Sequence, residues 1–176
     1  LESEDFTVAE LLKQAGYATG MTGKWGLGEP GSTGIPNRKG FDEWFGYLNQ
    51  RNAHTYYPPY LWHNETKVFL DGNRDDQQGE YSHDMVVQFA LDFIRRNHAG
   101  PCYLHIPWTL PHGQYEIPSV EPYDDMPWSD DEKVYAAMVS RIDRQVGEIV
   151  ALLDELDIRD DTLLFFGSDH GAARRW

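Results

Sequence analysis

The sequence predicts an α/β layered fold with a mainly parallel sheet flanked by helices. Two observations carry this expectation. Helical stretches alternate with short, unbroken apolar runs, the pattern of strands buried on both faces. Three of those runs are each followed by polar, chemically capable residues, as in open sheets that gather ligands beyond the carboxyl ends of their strands. The three sets are Lys24, then His112, then Asp169 with His170.

Thr7 with Glu10 three residues later forms a capping pattern, and Val8, Leu11 and Leu12 then fall on one helical face until Gly16 ends the helix. Residues 17–22 read as a short strand leading into a glycine-rich loop, Gly23-Lys24-Trp25-Gly26-Leu27-Gly28. Residues 29–80 form a long irregular segment rich in Gly, Pro, Asn and aromatics, with a hairpin expected around Asp71-Gly72-Asn73. A segment of that length without clear periodicity suits an excursion that builds a surface pocket. From Ser82, the spacing of Met85, Val86, Phe89, Ala90, Phe93 and Ile94 predicts an amphipathic helix ending between Asn97 and Gly100. Residues 102–106 read as a buried strand, and 107–127 as a second loop rich in proline and aromatics. A second capping pattern, Ser129 with Glu132, opens the longest helix, which carries Val134, Met138, Ile142, Val146, Ile149, Val150 and Leu153 to about Leu156. Residues 162–166 are expected to form a last strand.

With 176 residues, 40% hydrophobic and 14% aromatic, the chain suits one packed domain. No window approaches the roughly 20 apolar residues needed to span a bilayer. Fifteen basic against twenty-nine acidic residues give a formal charge of -14, which repels nucleic acid and anionic membrane surfaces. The expected partners are therefore neither. An anionic small substrate requires a metal and a few cations to invert the field locally. The lone cysteine, Cys102, can form no internal disulfide and reads as a buried strand thiol. The chain opens at Leu1 with neither a methionine nor a secretion-signal pattern, so neither a native start nor an export address is visible.

Lys24 puts one fixed cation where glycines allow close approach of backbone and ligand, as oxyanion binding requires, although a solvated surface lysine fits the same pattern. His112 sits between Pro111 and Gly113, stiff before and permissive after. An imidazole so held could protonate a leaving group or bind a sulfate oxygen, because its charge changes near neutral pH. Asp169 and His170 stand side by side and could both reach a divalent metal, or could form an Asx-type turn that caps a helix.

These loops occur in the order seen in sulfatases. The opening stretch, Thr7-Val8-Ala9-Glu10-Leu11-Leu12-Lys13-Gln14-Ala15-Gly16-Tyr17-Ala18-Thr19, resembles the helix and strand leading into that family's Gly-Lys-Trp loop. Gly40-Phe41-Asp42 with Phe45-Gly46-Tyr47, Pro111-His112, Arg141-Ile142-Asp143 with Val146-Gly147, and Ser168-Asp169-His170-Gly171 extend the resemblance over nearly the whole chain. It implies an alkaline-phosphatase-like fold hydrolysing sulfate esters, of sulfated carbohydrates or aryl sulfates, with a formylglycine nucleophile beside a divalent cation, usually calcium. By position Lys24 would bind the sulfate, His112 would contact it near the leaving group, and Asp169 and His170 would be metal ligands. The resemblance also implies a periplasmic, lysosomal or extracellular setting, and makes residues 1–176 part of a catalytic domain.

Three departures shape the expectation. The Cys-x-Pro-x-Arg type segment that supplies formylglycine is absent, as are the family's N-terminal paired aspartates, so the chain reads as an internal fragment that would be inactive alone. Gly26 stands where many sulfatases have histidine. Some relatives pair Gly-Lys-Trp-Gly-Leu-Gly with a later Ala-His-x-Tyr-Tyr-Pro, here Ala53-His54-Thr55-Tyr56-Tyr57-Pro58, and His54 is therefore expected to take the vacated sulfate- or nucleophile-facing role. His170 is unusual beside hard calcium, which prefers oxygen, while imidazole suits zinc better. Two other functions fit: a phosphatase or phosphodiesterase of the same superfamily, and a non-catalytic protein binding sulfated glycans through Tyr56, Tyr57, Tyr60 and Trp62. Oligomeric state is not legible.

Overall fold

The computed structural model describes residues 1–172. Helix α1 (Val8–Gln14) starts as expected: the Thr7 side chain accepts from the Glu10 amide, and the Glu10 carboxylate accepts from the Thr7 amide. It ends at Gly16, whose φ of +89° suits a residue without a Cβ. Val8 and Leu11, however, are more than half exposed, and Ala9 is the residue of this helix that packs into the core. The reason is close backbone contact. A Cβ on Gly40 would stand 2.2 Å from the Glu10 amide nitrogen, so only a small side chain fits beneath α1 there.

The sheet has five strands, β1 (Ala18–Lys24), β2 (Glu43–Tyr47), β3 (Tyr60–His63), β4 (Thr66–Phe69) and β5 (Cys102–His105), in the order β4-β3-β2-β1-β5. β1 pairs in parallel with both β2 and β5, whereas β2-β3 and β3-β4 are antiparallel. The expected parallel sheet is thus a parallel trio extended by an antiparallel hairpin. That hairpin turns at Asn64 and Glu65, between paired His63 and Thr66, and not at Asp71-Gly72-Asn73. Asn64 adopts φ +52°, and its Oδ1 accepts from the Trp44 amide at 3.0 Å and from Asn37 Nδ2 at 3.0 Å. Residues Asp71–Asp76 form 3-10 turns instead.

Alternation along β1 sets the layers. Thr19 and Met21 face a cluster built from Ala9, Ile35, Phe41, Trp44 and Leu48. Gly20 and Thr22 face helix α2 (Ser82–Asn97): the Thr22 hydroxyl donates to the Val86 carbonyl, and the Phe93 ring fills the space where a Gly20 Cβ would be. Helix α3 (Asp130–Glu155), opened by the Ser129/Glu132 capping box, packs outside α2, with Ile149, Leu152 and Leu153 against Ile94. Arg141 of α3 donates to both carboxylate oxygens of Asp84 on α2, and His83 Nε2 lies 2.7 Å from Gln145 Oε1.

Residues 162–166 do not form the expected strand. Leu163, Leu164, Phe165 and Phe166 are 80%, 44%, 85% and 71% exposed. Their apolar run reads as a buried strand, yet a strand needs a ladder partner for its backbone groups, and none pairs with this run among the described residues.

Two stability consequences follow. Gly46 has φ +142°, and a Cβ there would stand 2.1 Å from the Gly23 carbonyl oxygen. Gly46→Ala should therefore cost on the order of 3 kcal/mol, read as a lower denaturation midpoint of the whole protein. Burial pushes the His83 imidazole down to about 4 from the usual 6.5. The unfolded chain then takes up the proton first as pH falls, so the stabilisation from neutral His83 is full above about pH 6.5 and is lost below it. Between pH 8 and pH 5 this group should account for about 2 kcal/mol of lost stability. Chemical denaturation across that range should show a flatter profile for His83→Gln, which keeps a donor for Gln145 but cannot charge.

Candidate active site at the carboxyl edge of the sheet

The carboxyl ends of β1, β2 and β5 lie along one edge of the sheet. Lys24 is the last residue of β1, paired with Tyr47 at the end of β2, and so precedes the glycine-rich loop instead of lying within it. Its amide donates to the Pro107 carbonyl at 2.9 Å, which fastens β1 to the segment that leaves β5. Gly23 makes this possible, because a Cβ there would stand 2.3 Å from the Pro107 carbonyl oxygen. The half-buried Lys24 ammonium has no ion pair among the described residues, which leaves its charge available to an anion. The following loop is held by the Trp25 indole, which donates to the Gly34 carbonyl at 2.7 Å.

Two histidines meet on the connections that follow β2 and β5. His54 closes the 3-10 turn Asn52–His54, and His112 lies in the loop after β5. Their rings stack with centroids 4.9 Å apart and planes inclined by 19°. His112 Nδ1 faces the Gly113 carbonyl, which can only accept, so the proton sits on Nδ1. Nε2 is left to take or give a proton outward. Gly26, with φ +76°, has the Gln50 side chain against the position of a Cβ, 2.8 Å away.

A hydrogen-bonded network behind the two rings was not legible in the sequence. Tyr56, which the glycan-binding alternative would use for stacking and which structural packing of the long loop would bury, is 1% exposed, and its hydroxyl lies 3.0 Å from both the Thr109 and His112 carbonyls. Burial holds this phenol well above its ordinary range, so it stays a donor. The Glu116 carboxylate accepts from the Tyr56 amide at 2.8 Å. The Tyr47 hydroxyl donates to the Thr55 carbonyl at 2.7 Å and lies 2.6 Å from Ser82 Oγ. Tyr57 packs beside Tyr56, whereas Tyr60 and Trp62 lie on β3, with the Lys67 ammonium 4.0 Å and 5.5 Å from their ring centres and the Tyr60 hydroxyl accepting from Asn52 Nδ2 at 2.9 Å. A single sugar platform of four rings is not formed. The one signal for the network was the Tyr56-Tyr57 pair that begins two residues after His54.

Asp169 and His170 do not follow a strand. They are largely exposed, 3.6 Å apart, and neither makes a hydrogen bond, ion pair or ring contact with Lys24, His54 or His112 among the described residues. Two donors are less than a coordination shell, and no group of three His, Cys, Asp or Glu side chains comes together among the described residues. Cys102 lies in β5, and burial pushes its thiol up, which disfavours the nucleophilic thiolate.

A model of the Sulfatase family matches residues 1–175. The chain is 32% identical over 181 residues to the N-acetylgalactosamine-6-sulfatase of Canis lupus familiaris, covering 98% of this chain and 34% of that relative. It is 32% identical over 199 residues to an arylsulfatase of Hemicentrotus pulcherrimus, covering 100% of this chain and 33% of the relative. The chain thus spans about a third of the length of the curated relatives it matches. Among solved structures, Ps i-CgsB in complex with k-i-k-neocarrahexaose superposes with a TM-score of 0.74 at 25% identity, over 88% of this chain and 38% of that one. A protein crystallised with its substrate D-glucosamine-2-N,6-O-disulfate shares the fold, with a TM-score of 0.62 at 18% identity over 91% of this chain and 48% of that one. With the expected order of loops, this sheet and a family match running through Asp169 and His170, the chain belongs to the sulfatase family.

Proposed function

We propose that the whole protein hydrolyses sulfate esters, of sulfated carbohydrates or aryl sulfates, and that residues 1–176 form part of its catalytic domain. The observation that supports this best is the half-buried Lys24 ammonium at the carboxyl end of β1 together with the stacked His54 and His112 on the connections that follow β2 and β5, inside a chain matched by the family model over residues 1–175. The proposed roles are those that the family resemblance implies for these positions. Lys24 offers its donors to the sulfate oxygens, and His112, as the imidazolium with a proton on each ring nitrogen, gives the Nε2 proton to the ester oxygen as the bond to sulfur breaks. His54, stacked on His112, lines the same place as a second donor. Sulfatases work with a formylglycine and a divalent metal. Asp169 and His170 are the donors this chain is proposed to contribute to the metal, with calcium the expected ion. The setting proposed is periplasmic, lysosomal or extracellular. Among the described residues no helix is long and apolar enough to cross a membrane.

Turnover of 4-nitrophenyl sulfate against 4-nitrophenyl phosphate by the whole protein tests the reading, with sulfate expected to be the substrate. Preferred turnover of the phosphate would replace it with the phosphatase alternative. Lys24→Ala and His112→Ala should each lower kcat/KM on the order of a hundredfold or more. His54→Ala should lower kcat on the order of a hundredfold, the usual scale for a lost acid-base or oxyanion contact. Wild-type turnover in that variant removes His54 from the chemistry.

A further inference from the structure

We infer that Tyr56 and Glu116 are positioning residues that fix His54 and His112 relative to one another, an inference that rests on the sulfate-ester reading. The two imidazoles sit on separate connections, one after β2 and one after β5, and both side chains are exposed. Nothing in either local sequence requires the rings to meet at 4.9 Å. What joins the two connections is a pair of crossing hydrogen bonds. From the His54 side, the buried Tyr56 hydroxyl reaches over to the Thr109 and His112 carbonyls. From the His112 side, the Glu116 carboxylate reaches back to the Tyr56 amide, and more loosely to the Thr55 hydroxyl at 3.4 Å. Each segment therefore holds the other, and neither can shift without stranding a buried polar group.

The clamp is itself fixed to the fold. The Tyr81 hydroxyl donates to the Glu116 carbonyl at 2.9 Å, and Tyr47, the strand neighbour of Lys24, holds the Thr55 carbonyl. The pair of rings is thereby referred to the same strand ends that carry Lys24. Positional errors of about an ångström are enough to cost a site much of its rate, so a clamp of this kind acts on kcat without touching substrate. Tyr56 faces backbone on both sides and lies buried, which excludes it from direct contact with a ligand.

The test uses the whole protein with 4-nitrophenyl sulfate. Tyr56→Phe keeps the packed ring and removes the hydroxyl, and kcat should fall roughly tenfold or more while KM stays within about threefold. In a His112→Ala background the same substitution should change kcat by less than about twofold, because its effect passes through His112. An equal loss in both backgrounds marks a general structural role and overturns the inference. Glu116→Ala should behave like Tyr56→Phe, and Glu116→Gln, which keeps an acceptor oxygen for the Tyr56 amide, should restore kcat to within about threefold of wild type. Equal losses in the Gln and Ala variants would also overturn it. Independently of turnover, a nuclear Overhauser contact between the His54 and His112 ring protons should be present in selectively labelled wild type and weakened in Tyr56→Phe. An unchanged contact overturns the clamp even if the protein hydrolyses no sulfate ester, so the two readings fail separately.

Discussion

Three backbones crowd together at Gly23, Gly46 and Pro107, and the site depends on that crowding. No side chain separates them: the Gly23 carbonyl occupies the direction of a Cβ on Gly46, and the Pro107 carbonyl that of a Cβ on Gly23. β1 is thereby pressed between β2 and the exit from β5 at the point where its last residue, Lys24, leaves the sheet. The position of the cation, the direction of Tyr47 and the start of the loop that carries His112 all follow from this contact. Glycine is needed here for want of volume as much as for its backbone freedom.

Behind that edge, the molecule uses polar contacts where apolar ones would also pack. Asp84, Arg141, His83 and Gln145 join α2 to α3, and the His83 ring meets Trp108 at 5.2 Å, edge to face. Trp108 directly follows Pro107, so the contact between the helices also buttresses the loop that carries His112. A network of this kind adds little net stability over a hydrophobic equivalent, but it admits few alternative registers between the helices. The Tyr47, Tyr56, Tyr81 and Ser82 hydroxyls do the same nearer the site, joining β2, the start of α2 and both histidine-bearing connections through directional bonds.

Local rules were enough for the helices. Both capping boxes and the burial of Val86, Ala90, Phe93 and Ile94 were legible because each needs only residues three or four apart. The misreadings are those in which tertiary context decides. Val8 and Leu11 follow an apolar period but face solvent because Gly40 brings a backbone beneath Ala9; the hairpin forms at Asn64 because its amide oxygen caps two donors from elsewhere in the chain. Leu163 to Phe166 show a strand's composition without a strand's partner. Within the site, Lys24 and His112 could be picked out from their strand-end loops, and His54 from the glycine at position 26. The stacking of His54 on His112, and the tyrosine and glutamate that hold it, depend on pairings 53 to 60 residues apart, to which no local pattern points.

The exposed run from Leu163 to Phe166 also bears on how this polypeptide behaves in concentrated solution. Four consecutive large apolar side chains that no strand covers among the described residues form a sticky segment of the kind that seeds intermolecular strands. What opposes their meeting is long-range repulsion between molecules carrying a formal charge of -14, and that repulsion reaches only about 8 Å at physiological ionic strength. Colloidal behaviour should accordingly be governed by salt: monodisperse when dilute in salt, and self-associating as added electrolyte shortens the screening length while leaving the attraction between the phenylalanines intact.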